Sequence, residues 1–189
     1  MKLLFFDLET TGTMFWKNGI HQMSGAVVID GELKDSFDYR VCPNPNAQIE
    51  DEALAVSGVT RLQIASYPPM EEVYREFVTL LGKHVDKYNR ADKFFLVGYN
   101  NVSFDNQFLR AWFKQNRDEY FGSWFWSNSI DVMVLASHYL IEKRPQMKDF
   151  KLATVATECG VCVEKESLHD ALYDIRLTME VYKKVTDKI

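Results

Sequence analysis

The chain has 189 residues, 47% hydrophobic and 26% charged, with a formal net charge of −5. That length suits one domain, taken here as residues 1–189, with a sizeable core. The acidic balance excludes a protein that coats nucleic acid by bulk positive charge, but not an enzyme in which a metal supplies positive charge locally.

The start MKLLFFDLET is charged too early for a secretory leader, and its apolar run is too short to cross a membrane. A cytoplasmic protein without membrane contact is therefore expected. Cys159 and Cys162 form a lone C-x-x-C with no second pair for a structural zinc site. They read as ordinary thiols of a reducing compartment, with a thiol redox role as the alternative.

In chain order, residues 3–8 read as a buried first strand. A turn over 10–13 leads into the aromatic segment Met14-Phe15-Trp16. Residues 23–30 and 33–41 read as two more strands, with Asp30-Gly31 as the hairpin signal. CPNPN at 42–46 breaks the pattern, and a short helix is expected over 50–56. Pro68 and Pro69 precede a longer helix over 70–88, where Val73, Phe77, Leu80 and Leu81 keep a helical period. A fourth strand is expected over 94–99, a helix over 104–115, a short strand plus helix over 130–140, and final helices over 150–158 and 168–188. Strands joined first by hairpins and then by helices give a mixed α/β layered domain.

Asp7 and Glu9 are two apart at the end of the first strand, so they point to one side, where ligands of α/β sheets usually sit. Carboxylates are costly to bury unless paired or bound to metal. Alone, the pair also fits solvated edge residues or caps. Asp105 starts the helix after the fourth strand, where an acid suits the helix dipole and also faces the same crevice. His169, Asp170 and Asp174 begin the last helix, with Ser167 as candidate N-cap; alone, His169 reads as a capping or packing histidine. Four carboxylates brought together repel unless cations intervene. Hard oxygen ligands suit magnesium or manganese, and two such ions about 4 Å apart serve in-line displacement at phosphorus. A histidine titrating near neutrality suits a general base. Residue chemistry thus reaches metal-assisted phosphoester hydrolysis, without a particular substrate.

FFDLETTG, NVSFDNQFL and HDALYD resemble, in order, the three motifs of the DnaQ-like, or DEDDh, 3′–5′ exonucleases, over nearly the whole chain. The matching residues are Asp7, Glu9, Thr10, Thr11 and Gly12; Asn101, Phe104 and Asp105; and His169, Ala171 and Asp174. PNPNAQIEDEALAVSGVT also looks like the segment after the third strand of proofreading subunits. The resemblance implies a ribonuclease H-like α/β fold, a mixed five-stranded sheet flanked by helices. It implies that Asp7, Glu9, Asp105 and Asp174 hold two Mg2+ ions, with Mn2+ as substitute, and that His169 deprotonates the attacking water. Thr10, Thr11, Gly12 and Phe104 would contact the terminal nucleotide, and nucleoside 5′-monophosphates would leave from the 3′ end. Phe104 equally fits a core residue of its helix, and Asp170 falls outside the motif and reads as a helix-start acid.

The chain departs from proofreading relatives near Ser24, where they often carry an acid, and at Val56-Ser57-Gly58-Val59-Thr60, where they often read V-H-G-I-T. It ends soon after the last helix, which favours a free-standing or loosely held nuclease with transient polymerase contact over a permanent replisome subunit. Thr11 and Thr13 hydroxyls are expected at the cleft, with Phe15 and Trp16 either stacking on bases or forming a lid. Tyr120, Phe121, Trp124, Phe125 and Trp126 fit core, a homodimer surface or substrate contact. Arg110, Lys114, Arg117, Arg144, Lys148 and Lys151 fit either phosphate contacts or solvated surface. The leading reading is an exonuclease on single-stranded 3′ ends, DNA favoured. The alternatives are an exoribonuclease on RNA or short oligoribonucleotides, and an inactive nucleic-acid or protein-binding module.

Overall fold

The computed structural model describes residues 1–164 and 171–186. Its central strand, β1 (Lys2–Thr10), is apolar on both sides. Leu4, Phe6 and Leu8 enter one hydrophobic layer, Leu3 and Phe5 the other. The sheet order is β3-β2-β1-β4-β5. β2 (Ile20–Ile29) pairs antiparallel with β1 and with β3 (Glu32–Arg40); β4 (Phe95–Gly98) pairs parallel with β1, and β5 (Ile130–Asp131) parallel with β4. Asp30 and Gly31 turn the β2–β3 hairpin with φ of 51° and 85°, the positive-φ pair that matches strand twist. This is the mixed five-stranded α/β sheet that the motifs implied.

After β3 come α1 (Asp51–Ser57), α2 (Arg61–Ala65) and α3 (Met70–His84). α3 packs one sheet face together with α4 (Asp105–Gln115) and α5 (Phe121–Trp124). The opposite face is covered by α6 (Val132–Tyr139), α7 (Leu152–Glu158) and α8 (Ala171–Thr186). β4 and β5 are each followed by a chain that leaves the sheet at the same end as β1. Three separate segments therefore deliver polar residues to one edge.

Several boundaries differ from the sequence reading for local reasons. α3 stops at His84 because Val85 turns extended (φ −128°) to plug the core. Asp86 and Asp92 side chains then accept from the Tyr88 and Asp86 N–H groups, replacing helix bonds. The helix α7 starts at Leu152 rather than at 150, where the Phe150 carbonyl accepts from Tyr99 Oη–H (2.5 Å). Two α-helices among the described residues were not expected. α2 has a full capping box, Thr60 with Gln63, a spacing visible in the sequence. α5 is one turn inside the crowded aromatic segment. Its Phe121, with Trp124 and Phe125, is buried, Phe121 and Phe125 lying 4.7 Å apart, so three of the five rings are core. Tyr120 alone is largely exposed. Residues 165–170 and 187–189 carry the rest of the expected last helix, and with them Ser167, His169 and Asp170, outside the described residues.

Candidate active site

The inner face of β1 changes character along its length. Leu3 and Phe5 pack under α6–α8, and the next two residues on that face are Asp7 and Glu9. Both stand half-buried at the C-terminal end of the strand. β4 lies beside β1 in parallel register, Phe5 opposite Val97, and ends at the same edge. There Asn100, at φ 63°, reverses the chain, and Asp105 opens α4. The backbone N–H groups of Asp105 itself and of Leu8 favour the charged form of the Asp105 carboxylate. From the other layer, α8 contributes Asp174 in its first turn.

These four acids share one electrostatic environment. Burial is the largest cause holding the Asp7 pKa well above its ordinary value, followed by the charges of Asp105, Glu9 and Asp174. Asp105 is pushed up to about 7, chiefly by burial, with Glu9 and Asp131 adding to it against the two backbone hydrogen bonds. Among the described residues, no three His, Cys, Asp or Glu side chains close on one point as a finished coordination shell. The donor set nevertheless fits hard divalent cations. It consists of carboxylate oxygens that repel one another, and a bound cation would reverse that repulsion.

The supports around the acids were only partly visible in the sequence. Ser57, at the end of α1, donates to Glu9 Oε2 (2.5 Å). Asp131, N-cap of α6, accepts from Met133 N (2.9 Å) and Asn100 N (3.0 Å), fixing the turn that leads to Asp105. Nothing in its isolated position in the sequence marks it. Asn18 is the other residue missed. Wholly inside the loop after β1, it donates to the Gln48 carbonyl (2.9 Å) and Glu50 Oε1 (3.1 Å) and accepts from Met14 N (2.8 Å).

The motif loop itself corrects one expectation. Thr11 does not offer its hydroxyl to the cleft: Oγ1 donates to the Gln48 carbonyl (2.7 Å) and accepts from Gly19 N (2.9 Å). Thr10 Oγ1 likewise donates to the Gly12 carbonyl (2.7 Å). Gly12 is required because a Cβ there would collide with the Asn18 side chain. Thr10, Thr11 and Gly12 are themselves buried, with Thr13 exposed beside them. Phe104 is half-buried, 5.0 Å from Phe108 and against the core, so part of its ring is structural and part faces out. Ser24 lies opposite Asp7 in the β1–β2 register and donates to Asp38 Oδ1 (2.7 Å), so an acid does stand on this side of the sheet, one strand further away.

A family model described as exonuclease, RNase_T, matches residues 4–182. The chain belongs to this exonuclease family. The domain it forms is an exonuclease domain of the DnaQ-like type, a family that depends on divalent metal ions. The DNA polymerase III subunit epsilon of Aquifex aeolicus is 26% identical over 183 residues, 97% of this chain and 79% of the relative. The PolC-type DNA polymerase III of Bacillus cereus is 26% identical over 187 residues, 97% of this chain but 11% of the polymerase. Among solved structures, E. coli exonuclease I in complex with a dT13 oligonucleotide superposes with a TM-score of 0.77 at 20% identity, covering 99% of this chain and 41% of that one. The zinc-bound exonuclease I–ssDNA complex gives 0.77 at 19% identity, over 98% and 40%. These two structures establish a shared fold. The chain thus spans only a fraction of PolC and of exonuclease I, and most of the epsilon subunit.

Proposed function

We propose that the chain is a cytoplasmic, single-domain 3′–5′ exonuclease that removes nucleotides from single-stranded ends, DNA in preference to RNA, and releases nucleoside 5′-monophosphates. The observation that carries this reading is the acid cluster, in which burial first, and then three other carboxylates delivered from β1, α4 and α8, raise the pKa of Asp7. Asp7, Glu9, Asp105 and Asp174 would hold two Mg2+ ions, with Mn2+ able to replace them. Bound there, the ions would supply a lowered water pKa and charge neutralisation at phosphorus.

The chain's own residues do the rest. Ser57 orients Glu9, and the Leu8 N–H orients Asp105. The backbone of residues 10–12 and the outward part of Phe104 seat the terminal nucleotide. His169 takes the proton of the attacking water. The preference for DNA rests on the relatives, which are named as DNA polymerase III chains, and on the oligonucleotide carried by the fold neighbour. The same relatives support contact with a polymerase, taken here as transient.

The test is digestion of 5′-labelled single-stranded DNA and matched RNA, with Mg2+, with chelator, and with Asp7→Asn. The expected result is a DNA ladder shortening from the 3′ end, absent with chelator and in the variant. A ladder from RNA alone transfers the activity to the exoribonuclease reading. A folded protein that cuts neither strand with Mg2+ or Mn2+ supports a binding module.

A further inference from the structure

A groove of about 320 Å³ lies between the loop after β1 and the outer face of α4. Phe15 forms one wall; Val102, Asn106, Arg110, Lys114 and Ser129 are among the residues that form the other. Asn106, Arg110 and Lys114 are four apart on the helix that Asp105 begins, so they form one row leading away from the acid cluster. Arg110 and Lys114 are exposed, and no acidic side chain lines the groove among the described residues. In a chain of net charge −5, a cation-lined groove on the helix that begins with Asp105 stands out.

The groove is also built rather than incidental. The Arg110 guanidinium lies 4.3 Å over the Phe121 ring, a buried core side chain, which holds its position. Asn106 Nδ2 donates to Ser129 Oγ (2.7 Å), tying α4 to the segment before β5. Phe15 packs on the core and carries Trp16 edge-on at 5.0 Å, with Trp16 66% exposed.

We propose that this groove holds the nucleotides upstream of the 3′ terminus, with Arg110 and Lys114 on consecutive backbone phosphates and the Phe15–Trp16 pair against a base. The proposal rests on the exonuclease reading above. Four residues of helix separate the two cations by about 6 Å along the axis, close to one step of an extended single strand. Phosphate contacts of this kind position a strand without reading its sequence. An exposed apolar ring accepts any base.

The experiment compares the parent with Lys114→Gln and with Arg110→Gln/Lys114→Gln, on two substrates and in one binding assay. The p-nitrophenyl ester of thymidine 5′-monophosphate reports the acid cluster alone; dT oligonucleotides of two to eight nucleotides report the groove. The expected result is at least a tenfold fall in kcat/KM on the longer oligonucleotides for the double variant, with the ester unchanged. The dependence of log kcat/KM on log salt should flatten by about 1.4, roughly 0.7 for each single-strand phosphate that the variant no longer neutralises. Equal loss on ester and oligonucleotide, or no loss on either, overturns the groove. If the parent hydrolyses neither substrate, the exonuclease reading fails while the groove is still decided by anisotropy of labelled dT8 in chelator: weaker binding by the folded variants supports it, unchanged or undetectable binding overturns it. Lys114→Gln leaves the Arg110–Phe121 stacking in place, so its smaller loss with unchanged melting separates a phosphate contact from a folding defect.

Discussion

Acid should destabilise this protein through one residue outside the carboxylate cluster. His21 lies on β2 with its ring on the α3–α5 side of the sheet, wholly buried. Neither ring nitrogen reaches a hydrogen-bond partner on another of the described residues. Burial, helped by the Arg40 charge, lowers its pKa from 6.5 to about 4. The unfolded chain therefore takes up a proton below pH 6.5 that the folded chain refuses until about pH 4. Stability from neutral His21 is present above pH 6.5 and is lost as the pH falls towards 4. At about 1.4 kcal/mol per pKa unit, the full loss is about 3 kcal/mol, and about 2 kcal/mol of it has appeared by pH 5. The assay is urea unfolding in chelator at pH 7.5 and pH 5.0 for the parent and for His21→Leu. Other groups titrate in both proteins and cancel in the difference. The parent should lose about 2 kcal/mol more than the variant over this interval. Parallel losses in the two proteins would refute the reasoning.

Three further outcomes follow from the geometry. Asp105→Asn should abolish Mg2+-dependent cleavage yet stabilise the metal-free protein near pH 8, by on the order of 1–3 kcal/mol, because it removes a buried charge held among like charges; urea midpoints in chelator check this, and a less stable variant contradicts it. Ser57→Ala should leave the fold intact and lower turnover by releasing Glu9, an effect of about 1–2 kcal/mol on the barrier for a hydrogen bond to a charged group, read from kcat at saturating Mg2+. Gly25→Ala should cost about 1–3 kcal/mol. The added methyl meets the Phe37 ring and comes within 2.7 Å of the Phe5 carbonyl, and thermal melting measures the loss.

Much of the architecture can be read from the chain because the decisive features are local. The two-sided apolar run of β1 demands a central strand, and Asp30-Gly31 demands a tight hairpin. The acids Asp7, Glu9, Asp105 and Asp174 were recognisable from their spacing and motifs, and β1, α4 and α8 bring them into one electrostatic environment. What escaped depends on partners distant in sequence. Thr11 looks like a cleft hydroxyl until Gln48 and Gly19 consume it. Asn18 and Asp131 look like ordinary loop residues until the folded backbone supplies the groups they bind. The aromatic run 120–126 leaves core, homodimer surface and substrate contact open until the fold buries Phe121, Trp124 and Phe125. The α2 helix was legible in principle through its capping box and was hidden by its five-residue length.

The proposed chemistry stands or falls on whether the acid cluster holds metal. The direct measurement is an electron paramagnetic resonance titration of Mn2+ into chelator-stripped protein with thymidine 5′-monophosphate present, repeated with Asp7→Asn. The expected result is two bound Mn2+ per parent chain, displaced by excess Mg2+, and loss of both sites in the variant. A parent that binds no Mn2+, or a folded Asp7→Asn protein that binds it equally well, would contradict the two-metal site.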